Sequence, residues 1–399
     1  MDDAGGEFVL KDLPGTGGFD TVASAEALLP FLKDRADEIE ALRRLPRDLS
    51  GCFAREGFYR MCAPAVYGGL ELPPERTMST IETLARADGS AAWCVFIGAT
   101  SGSVLALLPP DSAREIFASP EVLLGGTFAP MGVAEAVEGG FRVEGRWAWG
   151  SGIQNADWIM GGCRVMRDGK TELDPRGGPR SRMMLAPAGE IEIHDTWHSA
   201  GLCGTGSTEY SMNGLFVPNR RAVGLGVEQP LERALYAFPQ FGLLAMGIAA
   251  VTLGLARSAL DELLDLAGAK TPQGSRRTLA ERPATQAEVA RAEAELRSAR
   301  AFFYETIESA WQAAQSGGRL PVEHRRDIRL STSHAVRSCA RVVDRMYELG
   351  GGTSVHRSSR LQRIFRDVHV ATQHAMVAPS TFEVTGRLLL GLETDPSTL

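Results

Sequence analysis

The spacing of apolar residues changes twice along this chain. From Ala23 to about residue 120 it follows the helical period of about 3.6 residues, with Leu28, Leu32 and Ile39 recurring among charged neighbours. From about residue 121 to Val217, apolar and polar residues alternate in short runs separated by Gly, Asn and Pro, which is typical of short strands in a small barrel or sandwich. The helical period then returns and continues to Leu392. We therefore predict an α+β chain with an N-terminal helical domain (1–120), a central β-domain (121–228) and a C-terminal helical domain (229–399).

Two stretches, Gly89–Pro110 and Ala234–Ala256, contain no charged residue. Either is long enough to cross a membrane. Both, however, are rich in small residues, and neither is flanked by clusters of Lys and Arg. A helix that is apolar on every side can also form the buried centre of a large helical domain. This second interpretation is favoured, and we expect no membrane partner.

Composition excludes some classes of protein and suggests a compartment. The net charge is −7 and no run of Lys or Arg occurs, so no basic surface for nucleic acid is expected. None of the six cysteines forms a C-x-x-C pair, which indicates free thiols in a reducing compartment and no structural metal. The first residues lack the pattern of a secretion signal. We predict a cytoplasmic protein.

The stretch 138–160 is rich in tryptophan and glycine. Trp147, Trp149 and Trp158 fall within twelve residues, and Trp149 is followed by Gly150-Ser151-Gly152. Glycines let the backbone approach a ligand closely, and a strand end that carries Trp and Ser can lie against a planar heterocycle. A hairpin whose tryptophans serve only the core is an equally weighted alternative.

Four segments carry a resemblance to a known family. They are ADGSAAW (87–93), GGFRVEGRWAWGSGIQNADW (139–158), DTWHSAGLCGTGSTEYSMNGLFVP (195–218) and RSSRLQRIFRDVHVATQHA (357–375). The chain resembles the acyl-CoA dehydrogenase fold, and more closely the two-component flavin-dependent monooxygenases that hydroxylate phenols, steroid rings and polyketide aromatics. The resemblance implies a helical N-terminal domain, a small central β-barrel or sandwich, a C-terminal four-helix bundle and a homotetramer.

The resemblance also implies an activity. Reduced FMN, or reduced FAD, is made by a separate NAD(P)H:flavin reductase and reacts with O₂ to give a flavin hydroperoxide, which hydroxylates a small aromatic substrate. The sequence has no G-x-G-x-x-G nicotinamide fingerprint after a predicted strand, in agreement with a separate reductase. Three alternatives stay open: N- or S-oxygenation within the same branch, an FAD-dependent acyl-CoA dehydrogenase, and a chain that acts only as a binding partner.

Cofactor contacts follow from the resemblance, residue by residue. Trp149 lies on the flavin with the Ser151 hydroxyl near its N5 atom, and the backbone of Phe128 to Pro130 faces the pyrimidine edge. Arg277 reaches a flavin phosphate, for which a guanidinium is well suited, or is a solvated loop cation. Gly351 and Gly352 belong to a glycine-rich turn that approaches the flavin, although the same residues also suit a helix cap.

The predicted catalytic residues are His374 and Ser151. Acyl-CoA dehydrogenases abstract a proton with a glutamate, but the corresponding segment here contains His374, and no acidic residue occurs between Glu232 and Asp261. A histidine has an unperturbed pKa of about 6.5 and can donate or accept a proton at neutral pH. His369, five positions earlier, is expected about 140° away on the same helix, with a secondary role beside the flavin.

The substrate pocket is predicted on the first uncharged helix. Several phenol-hydroxylating relatives place a histidine there, whereas this chain has none between Trp93 and Thr100. This argues against a simple para-phenol substrate and favours a more apolar pocket lined by Trp93 and Thr100. Core packing is the alternative for Trp93.

Overall fold

The computed structural model describes residues 20–174, 177–224, 231–397 and 399. Before the sheet, the described residues form the helices α1 (Thr21–Asp34), α2 (Ala36–Leu42), α3 (Arg47–Arg55), α4 (Pro74–Ala85), α5 (Gly89–Gly102) and α6 (Pro110–Ile116). Asp88 caps the N-terminus of α5, because its carboxylate accepts a hydrogen bond from the backbone N–H of Ala91 at 2.8 Å. This cap fixes the start of the helix that carries Trp93.

In the described part of the chain, the central strands form one mixed sheet. They are β1 (Leu124–Val137), β2 (Gly140–Gly150), β3 (Trp158–Arg167), β4 (Lys170–Thr171), β5 (Ser181–Pro187), β6 (Glu192–His194), β7 (Thr208–Pro218) and β8 (Ala222–Val223). Their order is β6-β7-β2-β1-β3-β5-β8, with β4 paired to β3. β1 and β3 run parallel, while the neighbouring pairs β1–β2 and β2–β7 run antiparallel.

Long helices follow the sheet. They are α7 (Gln240–Ala269), α8 (Pro283–Gln315), α9 (Val322–Gly350), α10 (Arg360–Ala371) and α11 (Ser380–Leu389). α7 packs against α9 and also against α4 and α5, so the two helical parts share one hydrophobic core. The predicted boundary between residues 120 and 121 lies between α6 and β1, and the one between 228 and 229 lies outside the described residues.

Both uncharged stretches form helices inside the protein. The apolar windows of Gly89–Leu107 and Gln240–Ala269 are 89% and 94% buried. Such burial is expected of core helices, because a helix in contact with lipid would leave most of its surface free of protein. The finding agrees with the interpretation favoured from the sequence.

β1 carries a bulge of four residues opposite Gly162. Thr127 pairs with Gly161 and Gly132 pairs with Cys163, so residues 128–131 stand opposite Gly162 alone. A Cβ atom at Gly162 would lie 2.3 Å from the carbonyl oxygen of Phe128 and 2.6 Å from that of Ala129. The glycine therefore lets the bulge close onto β3, and the bulge in turn lifts the segment from Phe128 to Pro130 out of the ladder.

Replacing Gly162 with alanine is expected to lower the free energy of unfolding by about 1–3 kcal/mol, because the backbone of the bulge must move to admit the new methyl group. Urea denaturation monitored by tryptophan fluorescence measures this change. Gly189→Ala is the matched control, since a Cβ there meets no atom within 4 Å. An equal loss of stability in the two variants would contradict the role assigned to Gly162.

Candidate active site

Trp147 and Trp149 lie two positions apart on β2 but have different surroundings. Trp147 is fully buried, stacks on Tyr210 at 5.3 Å between ring centroids, and donates from Nε1 to the carbonyl of Gly162 at 2.7 Å. Trp149, at the end of the strand, is 65% exposed and has a φ of +65°. A left-handed conformation is strained for a residue with a Cβ, and such strain clusters at functional sites. The core-only interpretation thus fits Trp147 and does not fit Trp149.

Ser151 is buried among polar partners from two other parts of the chain. Its Oγ accepts a hydrogen bond from Trp93 Nε1 at 3.2 Å and lies 2.6 Å from Ser207 Oγ. Ser207 Oγ lies 2.7 Å from Thr205 Oγ1, which donates to the carbonyl of Leu202 at 2.8 Å. Four side chains thus form one connected hydrogen-bonded chain, which we call the hydroxyl chain: Trp93, Ser151, Ser207 and Thr205.

His374 lies beside the same tryptophan. α10 ends at Ala371, and His374 has an extended backbone with φ −67° and ψ 134°. Its Nδ1 accepts the backbone N–H of Met376 at 3.2 Å, so the residue caps the short 3₁₀ turn Ala375–Val377. The imidazole centroid is 6.0 Å from the Trp93 ring. The predicted catalytic residues Ser151 and His374 therefore share Trp93 as a neighbour.

The protonation of His374 follows from its environment. Burial, and secondarily the positive charge of Arg329, lower the pKa of His374 to about 4. The imidazole is neutral at pH 7, whereas its unperturbed pKa had suggested partial protonation. Since Nδ1 accepts a hydrogen bond, the proton of the neutral ring is assigned to Nε2. His374 thus offers a neutral N–H donor.

His369 does not share a helix with His374, so the expected angle of about 140° between them does not apply. Its Nε2 lies 2.8 Å from a carboxylate oxygen of Asp344 on α9, and its ring packs edge-on against Phe365 at 4.6 Å. These contacts hold His369 at the interface between α9 and α10. Its role beside the flavin stays a prediction.

The two residues predicted to line a substrate pocket differ in what their polar atoms do. The indole N–H of Trp93 is bonded to Ser151, and its ring meets Phe96 edge-on at 4.9 Å. The hydroxyl of Thr100 donates to the carbonyl of Phe96 within its own helix at 2.8 Å. With this bond kept, Thr100 can offer a pocket its methyl group and an accepting lone pair of its hydroxyl oxygen, but no proton. Contact of either residue with substrate stays a prediction.

The other predicted cofactor residues are distributed around the helical domain and the bulge. Phe128 meets Phe241 of α7 edge-on at 6.4 Å, while Pro130 is exposed. Gly351 and Gly352 form an exposed turn after α9, and Gly351 has a φ of +54°. Arg277 is exposed between α7 and α8. Their binding roles stay predictions.

An open cleft lies beside Trp149. Its walls are formed by Ala148, Trp149, Thr196, Trp197, His198, Ser199, Ser207 and Glu209. The exposed indole of Trp149 offers a planar apolar face, and Ser207 connects the cleft to the hydroxyl chain, so the site fits a planar, hydrogen-bonding ring system such as a flavin. Sequence reasoning missed Thr205 and Ser207, although both lie in the segment 195–218. The only signal was the run Gly204-Thr205-Gly206-Ser207 itself.

Comparisons with known proteins agree with this geometry. The family model for the N-terminal domain of acyl-CoA dehydrogenase matches residues 25–109, and that for the C-terminal domain matches residues 246–379. The fold and site thus define a flavoprotein with the acyl-CoA dehydrogenase fold. The chain is 36% identical to indole-3-acetate monooxygenase of Pseudomonas putida over 377 residues, covering 94% of this chain and 95% of that protein. It belongs to the two-component flavin-dependent monooxygenases, as an oxygenase component.

Further similarities support this assignment. The chain is 29% identical to the flavin-dependent monooxygenase oxygenase subunit HsaA of Rhodococcus jostii, covering 89% of this chain and 94% of that one. The crystal structure of 3-HSA hydroxylase from Rhodococcus sp. RHA1 superposes with a TM-score of 0.87 at 26% identity, covering 95% and 99% of the two chains. The predicted fold class, reduced flavin and O₂ as cofactor and co-substrate, and the monooxygenase activity are confirmed. An oxygenase component requires a small-molecule substrate and a separate flavin reductase.

Proposed function

We propose that this chain hydroxylates a small aromatic acid of the indole-3-acetate type, with Ser151 and His374 as its catalytic residues. The observation that carries the proposal is the meeting of these two residues at Trp93, where a buried hydroxyl and a neutral imidazole share one aromatic neighbour. The 36% identity to an indole-3-acetate monooxygenase along nearly the whole chain supports the substrate class. The absence of a histidine between Trp93 and Thr100 also favours an indole over a simple phenol.

The bound reduced flavin supplies the electrons that activate O₂ for insertion of one oxygen atom into the substrate. Trp149 would hold the ring system with its exposed face, and the hydroxyl of Ser151 would bind it at N5. The Nε2–H of the neutral His374 would donate a hydrogen bond to the oxygen being transferred. We expect the packed ring pairs Trp93–Phe96 and Phe128–Phe241 to exclude water, which would protect the reaction from unproductive loss of oxidant.

The remaining cofactor contacts belong to the same proposal. The backbone of Phe128 to Pro130 meets the pyrimidine edge, Arg277 binds a phosphate, and Gly351 with Gly352 lets the backbone approach the flavin beside His369. The exposure of Arg277 supports a phosphate contact across a subunit boundary in a homotetramer. Exposed apolar side chains at and after the end of α11, Leu389, Leu390 and Leu392, also support assembly. We place the enzyme in the cytoplasm, where its reductase finds NAD(P)H.

Rapid mixing of the anaerobic protein–reduced flavin complex with ¹⁸O₂ tests the proposal. We expect a transient whose absorption differs from that of both reduced and oxidised flavin, followed by an indole-3-acetate product that carries one ¹⁸O atom. Immediate oxidised flavin with no transient would contradict oxygenation by this chain. A transient without oxygen transfer to indole-3-acetate, but with transfer to a nitrogen or sulfur compound, would refute the substrate class and leave the flavin chemistry in place.

A further inference from the structure

The hydroxyl chain has a direction. A carbonyl oxygen only accepts, so the hydrogen bond between Thr205 Oγ1 and the carbonyl of Leu202 at 2.8 Å is donated by Thr205. Thr205 Oγ1 must then accept from Ser207, and Ser207 in turn accepts from Ser151 at 2.6 Å. An indole N–H only donates, so Trp93 is the donor toward Ser151. Every proton therefore points away from Trp93 and toward Leu202.

The reverse direction satisfies fewer groups. If Thr205 donated to Ser207 and Ser207 to Ser151, the hydroxyl proton of Ser151 would have no acceptor in the chain, because Trp93 has none to offer. Ser151 is only 6% exposed, so this buried proton would have no hydrogen-bond acceptor, which costs stability. The Thr205 bond to Leu202 would also be given up. The forward direction is therefore the ground state of the hydroxyl chain.

This direction leaves Ser151 with a lone pair, not a proton, for a ligand. The N5 atom of a reduced flavin carries a hydrogen and donates, whereas the N5 atom of an oxidised flavin only accepts. We propose that Thr205 and Ser207 are positioning residues that make the site select reduced over oxidised flavin, by fixing Ser151 as an acceptor. The inference rests on the proposed function, in which Ser151 faces N5.

The expected preference for reduced over oxidised flavin corresponds to the energy of one hydrogen bond. Oxidised flavin can bond to Ser151 only if the hydroxyl chain reverses, which removes the Thr205 bond to Leu202. The net contribution of one such bond corresponds to roughly a tenfold difference in affinity. A tenfold change in the ratio of the two dissociation constants shifts the two-electron reduction potential of the bound flavin by about 30 mV. Release of oxidised flavin after each turnover is then favoured by the protein itself.

Two variants test the proposal by different routes. Ser207→Ala removes the acceptor of the Ser151 proton. Thr205→Val keeps both serines and removes only the group that fixes their direction. For each, we expect the ratio of the Kd for oxidised FMN to the Kd for reduced FMN to fall roughly tenfold, mainly through tighter binding of oxidised FMN. Fluorescence titration, performed anaerobically for reduced FMN, gives both constants, and thermal melts establish that each variant is folded.

Thr80→Val is the matched control. Thr80, like Thr205, is buried, donates to a carbonyl (Arg76, 2.9 Å) and contacts a second hydroxyl (Thr21, 2.7 Å), but it lies in α4 away from the hydroxyl chain. We expect its ratio to equal that of the wild type. If Thr205→Val and Ser207→Ala also match the wild type, the proposal is wrong while the proposed function stands. If the wild type binds neither FMN nor FAD in either redox form, the proposed function itself fails.

Discussion

Replacing His374 with alanine is expected to lower kcat by about 10²–10⁴-fold, while the Kd for reduced flavin stays within about twofold of the wild type. The expectation follows from the position of the imidazole beside Trp93 and from its assigned proton on Nε2. Single-turnover product formation measures the first quantity, and anaerobic fluorescence titration measures the second. A variant that forms product at the wild-type rate would remove His374 from the reaction.

His374→Asn separates proton chemistry from structure. The Asn side chain can still cap the turn by accepting the N–H of Met376, but it has no imidazole proton to give. We expect this variant to keep the wild-type melting temperature at pH 7.5 and to lose product formation as severely as His374→Ala. Recovery of activity in His374→Asn would show that the capping contact, and not the imidazole, is what the reaction needs.

The lowered pKa of His374 also predicts the pH dependence. With a folded-state pKa of about 4, His374 does not titrate between pH 6 and 8, so its titration should not change kcat in that range. Below pH 6.5 the unfolded chain binds the proton first, so the free energy of unfolding decreases as pH falls from about 6.5 toward 4, by up to about 3 kcal/mol. The His374→Asn variant lacks this contribution. A kcat limb near pH 6.5 that disappears in the variant would contradict the lowered pKa.

Trp149→Ala is expected to weaken flavin binding by about 10–100-fold with little change in stability. Stacking of an aromatic side chain on a planar heterocycle contributes about 1–3 kcal/mol when measured by alanine substitution. The side chain is 65% exposed, so its removal costs little packing within the protein. Trp149→Phe retains an aromatic face and should recover part of the affinity. Phe216→Ala, which removes an exposed aromatic near the opposite end of the β2–β7 pair, is the control.

Trp147→Ala, in the same strand, is expected to lower stability and to leave flavin binding largely unchanged. Because Trp147 is fully buried and stacked on Tyr210, its loss is expected to cost about 3–5 kcal/mol of unfolding free energy. Flavin affinity of the fraction that remains folded should change far less than in Trp149→Ala. Equal effects of the two substitutions on stability would contradict the division of roles between them.

The two changes of apolar period were sufficient to predict the helix–sheet–helix order, because periodicity reports which face of each element is buried. Alternation along β2 could not separate Trp147 from Trp149, because residues two apart share one face of a strand; the positive φ of Trp149 at the strand end makes the difference. The bulge of β1 opposite Gly162 could not be predicted from the sequence. No pattern within residues 124–137 reveals this, because the bulge depends on a glycine of the neighbouring strand.

The environment of the site could not be read from local sequence. Ser207 lies 56 positions from Ser151, and only the return of the chain along β7 brings their hydroxyls together. The helix α10 ends before His374 without a Pro or Gly at its end, so the sequence predicts one helix that includes both His369 and His374. The pKa of His374 depends on burial and on Arg329 of another helix. The resemblance supplied the residue types at the site, whereas their protonation and hydrogen-bond direction required the fold.

The indole of Trp93 has a consequence for attempts to change what the enzyme oxidises. Its N–H belongs to the hydroxyl chain and its ring lies beside His374, so under the proposed function the residue expected to sort substrates would also contact both catalytic residues. A substitution there to admit a bulkier molecule would also release Ser151, and reducing power would be wasted as hydrogen peroxide. Directed evolution toward new substrates should therefore vary residues across the pocket on α7 and leave this ring in place.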